Sequence, residues 1–137
     1  MPRKDRRGGN AKAIPTACPC GTGKLYTDCC SPLHSGEATA STAEQLMRSR
    51  YSAFVVEDAA YLLKSHHSST RPAFIYFEPK LRWTSLEIVG TTGGTTFHTD
   101  GSVEFIARYT DAGRPGAMRE NSSFVREDGN WVYLNAL

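Results

Sequence analysis

Cysteine is missing from every position after Cys30. A disulfide framework stapling distant parts of a small secreted fold is therefore not expected, because any cross-link would fall within one short segment. No run of about 18 apolar residues occurs, so no membrane-spanning helix is expected. Charge of one sign is also lacking. Sixteen Lys and Arg face fourteen Asp and Glu, leaving a formal net charge of +2, too little to argue for a polyanionic partner from composition alone. The basic residues Arg3, Lys4, Arg6 and Arg7 are not followed by the apolar stretch of about 7–15 residues that a secretory leader needs. A cytoplasmic protein is expected, and internal repeats are absent. What remains is ordinary for one globular domain with a real core. The chain has 137 residues, 39% of them hydrophobic, with six Phe, six Tyr and two Trp.

Positive charge collects at the start. Residues 1–16 hold Arg3, Lys4, Arg6, Arg7 and Lys12 against Asp5 alone, which reads as a solvated, disordered basic tail. Contact with nucleic acid is expected only through that tail.

All four cysteines lie between positions 18 and 30, in the segment Cys18-Pro19-Cys20-Gly21-Thr22-Gly23-Lys24-Leu25-Tyr26-Thr27-Asp28-Cys29-Cys30. Four thiols this crowded look like metal ligands in a reducing compartment. Cys18 and Cys20 would supply one edge of a tetrahedron, and Cys29 and Cys30 the other. Gly21 and Gly23 allow the chain to turn back between them. Four protein ligands leave no open position, so a structural rather than catalytic Zn2+ is expected. His34 offers an alternative fourth ligand in place of Cys30. A segment this short has no core, so metal binding would supply its folding energy, of order 10–16 kcal/mol for zinc-finger peptides. The knob is expected to share no core with the rest of the chain, leaving Lys24, Tyr26 and the basic tail exposed for contacts.

After a small polar linker at residues 35–40, the period becomes helical. Ser41 with Glu44, or Thr42 with Gln45, forms a capping box. Met47, Tyr51, Phe54 and Val55 then line one helix face. Asp58 is placed to cap a second helix over residues 59–67, with Ala59, Leu62, Leu63 and His66 on one face. His66 should point at the sheet and His67 should lie at its edge. Residues 73–80 are ambiguous, with Phe74, Ile75 and Phe77 compatible with a short helical turn ended at Pro79. From Trp83 the period is two. Strands are expected at Trp83–Val89, Val103–Tyr109, Ala117–Val125 and Trp131–Asn135, with turns at Gly90–Gly94, Asp111–Gly116 and Asp128-Gly129. A hairpin at Asp128-Gly129 pairs Phe124 with Tyr133 and Val125 with Val132. Helices followed by an antiparallel meander give an α+β class.

The spacing Cys-x-Cys-Gly-x-Gly-Lys followed by Cys-Cys resembles the SEC-C motif. That resemblance implies Cys18, Cys20, Cys29 and Cys30 as the ligands. Leu46-Met47-Arg48-Ser49-Arg50-Tyr51-Ser52-Ala53-Phe54, Asp58–His67, Val103–Tyr109, Glu120–Phe124 and Gly129-Asn130-Trp131 resemble the YchJ-like family. The resemblance runs over nearly all of residues 18–135. It implies a zinc knuckle at 17–34 followed by a cone-shaped domain at 41–137, in which helices pack on a curved antiparallel sheet as in nuclear transport factor 2. It implies contacts of the knob with a protein or ribosome partner, and no established activity.

Cones of this kind hold a pocket between sheet and helices. Tyr51, His67, Trp83, Arg108 and Glu120 are the polar and aromatic residues expected to reach it. A His and a Glu there would be an acid–base pair. Against this, Arg108 and Glu120 on neighbouring strands would neutralise each other if opposed. The reading that follows is a zinc-binding adaptor, with a small enzyme or ligand-binding protein using the cone as the alternative.

Overall fold

A computed structural model describes residues 14–137, so most of the expected basic tail lies outside the described residues. The elements run as a single 3₁₀ turn at Tyr26–Asp28, then α1 (Ser31–Ser35), α2 (Ala43–Val56) and α3 (Ala59–Lys64), then strands β1 (Leu81–Gly93), β2 (Asp100–Asp111), β3 (Arg114–Glu127) and β4 (Asn130–Ala136). The four strands form one antiparallel sheet in sequence order. Two irregularities in β1, at Trp83/Ser85 and Ile88/Gly90, bend it. The result is the α+β architecture of helices on a curved meander.

Of the two capping boxes open to the start of α2, Thr42 and Gln45 make it. Thr42 Oγ1 accepts from the Gln45 amide at 3.1 Å, and Gln45 Oε1 accepts from the Ser41 amide at 2.7 Å, one residue earlier than the standard box. The helix ends where Glu57 turns left-handed at φ 59°. Asp58 restarts the chain by accepting from the Tyr61 amide at 3.0 Å. The second helix, α3, stops three residues short of the expected His67. Ser65 Oγ donates back to the Tyr61 carbonyl, and the chain then pairs with β4: the Tyr133 amide donates to Ser65 O and the His67 amide to Tyr133 O. Pairing with an open strand edge outbids another helical turn and covers that edge. Residues 73–80 contain no helix. There Ile75 and Phe77 pack against Leu33, Ala53, Tyr61 and Leu62.

The core is the face of α2 carrying Ala43, Leu46, Met47 and Tyr51, laid on Val103, Phe105 and Ala107 of β2, Phe124 of β3 and Trp131 of β4. Trp131 Nε1 donates to Ser41 O at 3.1 Å, tying the last strand to the start of α2. The β3–β4 register matches expectation, with Phe124 opposite Tyr133 and Val125 opposite Val132. Asp128 and Gly129 both take positive φ, 54° and 83°, the requirement of a type I′ hairpin. The expected turn at Gly90–Gly94 is mostly strand. Thr91 and Thr92 are β-branched and pair with Val103 and Ser102, so the reversal falls at residues 94–99. Gly94 then accepts from the Ala43 amide at 2.9 Å, closing the first turn of α2 from the sheet side.

That reversal depends on a close backbone approach. A Cβ on Gly101 would stand 2.4 Å from the Gly94 nitrogen. Gly101→Ala is expected to cost about 1–3 kcal/mol, the range of overpacking a site that cannot give. Gly90→Ala, where nothing lies within 4 Å and the backbone is not left-handed, should cost less. Urea unfolding of both variants checks the order.

Candidate metal centre

The cysteine segment closes on itself in two steps. Ala17 bridges Leu25, and the Cys18 amide donates to Lys24 O at 2.9 Å. Gly21 and Gly23 take φ 87° and 88°, a left-handed backbone that other residues adopt only under strain. The 3₁₀ turn then delivers Cys29 and Cys30 opposite Cys18 and Cys20. All four sulfurs lie within 4.8 Å of one another, and none is in a disulfide. Cys20 and Cys30 are fully buried, whereas Cys29 is half-buried.

A tetrahedron with metal–sulfur bonds of about 2.3 Å has sulfur–sulfur edges of roughly 3.8 Å. The Cys20–Cys29 separation is 3.6 Å. Four soft donors at that spacing can hold a tetrahedral metal ion. Their protons oppose one another. The hydrogen bond from the Cys20 thiol, then that from Cys30, draws Cys18 far down. The same bond to Cys18 pushes Cys30 up, and burial pushes Cys29 up. Four thiolates so close cannot all ionise without a cation among them.

Hydroxyls that the motif spacing did not single out surround the sulfurs. Thr22 Oγ1 lies 3.2 Å from Cys29 Sγ and 3.7 Å from Cys20 Sγ. Ser52 Oγ on α2 lies 3.5 Å from Cys18 Sγ and is fully buried. Thiolates only accept, so with a metal bound both hydroxyls donate to sulfur, the outer support that ligating groups need. Thr22 is in the motif and could have been suspected. Ser52 comes from a helix 34 residues away and carries no local signal.

The knob is not separate from the domain, contrary to expectation. Val56 of α2 belongs to the same buried cluster as Cys18, Cys20, Tyr26 and Cys30. Arg48 Nη1 donates to Cys20 O at 2.6 Å while its Nε holds Glu44 at 3.0 Å. Tyr26, expected at the surface, is 4% exposed. His34, the alternative fourth ligand, is engaged elsewhere. Its Nε2 donates to Ser49 O at 2.8 Å, which leaves Nδ1 to accept from Tyr26 Oη at 2.6 Å. Both ring nitrogens are used in bolting α1 and the knob to α2.

The residues expected in the cone do not converge. Tyr51 and Trp83 come together, edge to face at 6.3 Å. Trp83 also walls an apolar groove of about 440 Å³ with Phe54, Phe77 and Leu81. His67 lies past the end of α3, its Nδ1 accepting from Ser69 and its Nε2 3.7 Å from Glu127. Arg108 points from the other face of β2 to Glu87 at 3.1 Å. Arg108 and Glu120 are not opposed. The two-residue turn Ala112-Gly113 sets Arg108 against Ala117 and Glu120 against Phe105. Glu120 therefore projects from the core face, where it accepts from Ser122 Oγ at 2.5 Å and Tyr133 Oη at 3.0 Å.

Comparison with known proteins agrees with this architecture. A family model described as the YchJ middle domain, nuclear transport factor 2-like, matches residues 42–136. A UPF0225 protein of Streptomyces avermitilis is 53% identical over 121 residues, covering 88% of this chain and 84% of its own. One of Deinococcus radiodurans is 43% identical, covering 87% of each. The solution structure of a SEC-C motif containing protein from Rhodopseudomonas palustris superposes with a TM-score of 0.76 at 30% identity, covering 88% of this chain and 96% of that one. The crystal structure of another, from Psychrobacter arcticus, gives 0.71 at 31%, covering 86% and 80%.

Two substitutions separate ligand from support. Ser52→Ala is expected to weaken metal binding by roughly tenfold to a hundredfold, the usual effect of losing an outer hydrogen bond. His34→Ala should leave metal affinity within a few-fold. It should still destabilise the fold by about 1–3 kcal/mol through the loss of the bonds that His34 makes to Ser49 O and Tyr26 Oη. Competition with a chromophoric chelator reads the first effect, and thermal unfolding of the metal-loaded protein the second.

Proposed function

The chain belongs to the YchJ-like family, and we propose that its cysteine knob is a structural zinc site that presents a docking surface to a protein or ribosomal partner. The observation carrying this reading is the set of four free thiols within 4.8 Å. Cys18, Cys20, Cys29 and Cys30 are the ligands. All-sulfur tetrahedral donation suits Zn2+, which has no redox chemistry of its own and closes its coordination with four ligands. A closed site does no chemistry on a substrate, so the role of the metal is shape. Free thiols in this number fit a reducing cytoplasm. The solved SEC-C motif proteins support the same assignment.

Zinc fixes the loop that carries Thr22, Lys24, Leu25, Thr27 and Asp28, all exposed. Leu25 is 51% exposed, an apolar side chain beside a cation at the tip of a rigid loop. That combination suits a protein surface. Because Val56 and Arg48 seat the knob on α2, the tip is held at a fixed angle to the sheet.

Protein purified under reducing conditions without chelators is expected to carry one zinc per chain, and Cys20→Ser to carry none, by elemental analysis. A wild-type preparation without zinc overturns the metal assignment. Partner capture should be lost on removing zinc and on Leu25→Ser with Lys24→Glu, while zinc content in that double variant stays at the wild-type level. Capture unaffected by the double variant overturns the docking role and leaves the metal assignment standing.

A further inference from the structure

The concave face of the cone holds a second cluster of polar side chains, distinct from the thiols in its chemistry and sharing only α2 with them. Its centre is Arg50 of α2, which is 7% exposed. Arg50 Nη1 donates to Leu62 O at 2.8 Å and to Ser65 Oγ at 2.7 Å. The guanidinium lies over the ring of Tyr133, 4.9 Å from its centroid. Nε and Nη2 find no acceptor among the described residues, and no carboxylate there pairs with it. A buried guanidinium with one edge unused is rare, because buried donors are almost always satisfied. Burial draws its pKa down to about 10 against the opposing pull of Tyr133, Tyr61 and Glu120, so it stays a cation.

Three further groups gather on the same ring. Tyr133 Oη donates to Glu120 Oε2 at 3.0 Å, and Ser122 Oγ donates to the same oxygen at 2.5 Å. The His66 ring stands edge-on to Tyr133, 5.1 Å between centroids. Burial, then Arg50, then Arg71, hold that imidazole below its ordinary pKa. His66, not His67, is therefore the histidine that faces the sheet. On the same face of β3, one position is far more exposed than the core around it. Met118 shares the core face with its register partner Ala107, yet it is 37% exposed where Ala107 is 2% exposed. The strand β4 pairs with β3 only from Ser122 onward, so nothing from β4 covers Met118.

We propose that this concave face binds a small carboxylic acid that also carries a hydrogen-bond donor. The carboxylate takes the unused Nε–Nη2 edge of Arg50, whose planar fork matches it in two parallel bonds. The donor meets the Glu120 carboxylate, and the body of the molecule lies between Tyr133 and Met118. A convergent cation, carboxylate and imidazole around an aromatic floor is the pattern of a small-molecule site.

The test is NMR titration of the full, metal-loaded chain with two probes, lactate and p-hydroxybenzoate, and with phenol as a control lacking the carboxylate. At least one acid is expected to shift the Arg50 Nε–H and His66 ring signals saturably, while phenol does not. Arg50→Lys, which keeps the charge and loses the fork, should weaken binding at least tenfold. Met118→Glu changes a side chain that is 37% exposed, so its fold is expected to survive, and it should weaken binding similarly. Absence of saturable shifts with both acids overturns the proposal. So does binding that survives Met118→Glu unchanged, or shifts confined to signals outside this cluster. Zinc content is unaffected in every case, so the outcome is independent of the knob.

Discussion

The rest of the molecule hangs on a helix with almost no solvent side. Nine of the fourteen residues of α2 are buried, and three of them are polar: Ser49, Arg50 and Ser52. Buried polar groups are tolerated only when bonded, so each fixes a neighbour in place. Ser49 Oγ donates to Leu46 O at 2.7 Å and lies 2.6 Å from Tyr61 Oη on α3, while the Ser49 carbonyl receives His34 of α1. Arg50 clasps the end of α3. Ser52 meets Cys18. The sheet-facing side of the helix supplies Leu46, Met47 and Tyr51 to the core. One helix thus sets the angle between knob, helical hairpin and sheet, and does so through directional bonds rather than through apolar contact alone.

This changes what a metal would do in the molecule. In an isolated zinc finger, metal binding is the folding free energy of that finger and nothing more. Here Val56 caps the sulfur cluster and Arg48 holds the Cys20 carbonyl, so a knob that loosens exposes the buried side of α2. The same contacts act in reverse. A folded α2 presents Ser52 to Cys18 before any metal arrives, which lowers the ordering that metal binding must bring about. Knob and cone are two motifs in sequence and one packed body in structure.

The legible parts of the sequence were those in which local chemistry decides. Asp128-Gly129 fixed a hairpin and its register, because two adjacent positive-φ positions admit few alternatives. Asp58 and Thr42 announced helix starts by their side-chain acceptors. The cysteine spacing announced a metal site, and the YchJ-like and SEC-C resemblance named the architecture. The illegible parts were decided at a distance. Ala112 carries φ 52° without being Gly, Asn or Asp, so the β2–β3 turn gave no sharp signal. The register that keeps Arg108 from Glu120 was lost with it. The helix α3 stops at Lys64 because β4, some seventy residues later, offers a strand edge to Ser65 and His67. The hydrophobic pattern of α2 is blurred for the same reason. Its buried polar residues bond to Cys18, Tyr61 and Ser65, none of them visible in a local window.

The same distinction separates the two faces of function. The knob is a local object: thirteen residues contain its ligands, its turns and Thr22, and sequence alone could point to it. The concave cluster is assembled from α2, the end of α3, β3 and β4, with Arg50, His66, Glu120 and Tyr133 meeting only through the fold. Tyr133 is the piece that joins them. Its ring carries Arg50 on one face and stands nearly perpendicular to the rings of His66 and Phe124, and its hydroxyl donates to Glu120. A phenol can serve a cation, an imidazole and a carboxylate at once because it has both a π-face and a hydroxyl. Burial and the Glu120 charge push its pKa up to about 12, so the hydroxyl keeps its proton and Glu120 remains the acceptor. That fixed polarity leaves the free edge of Arg50 and the Glu120 carboxylate as the unspent donor and acceptor of the cone.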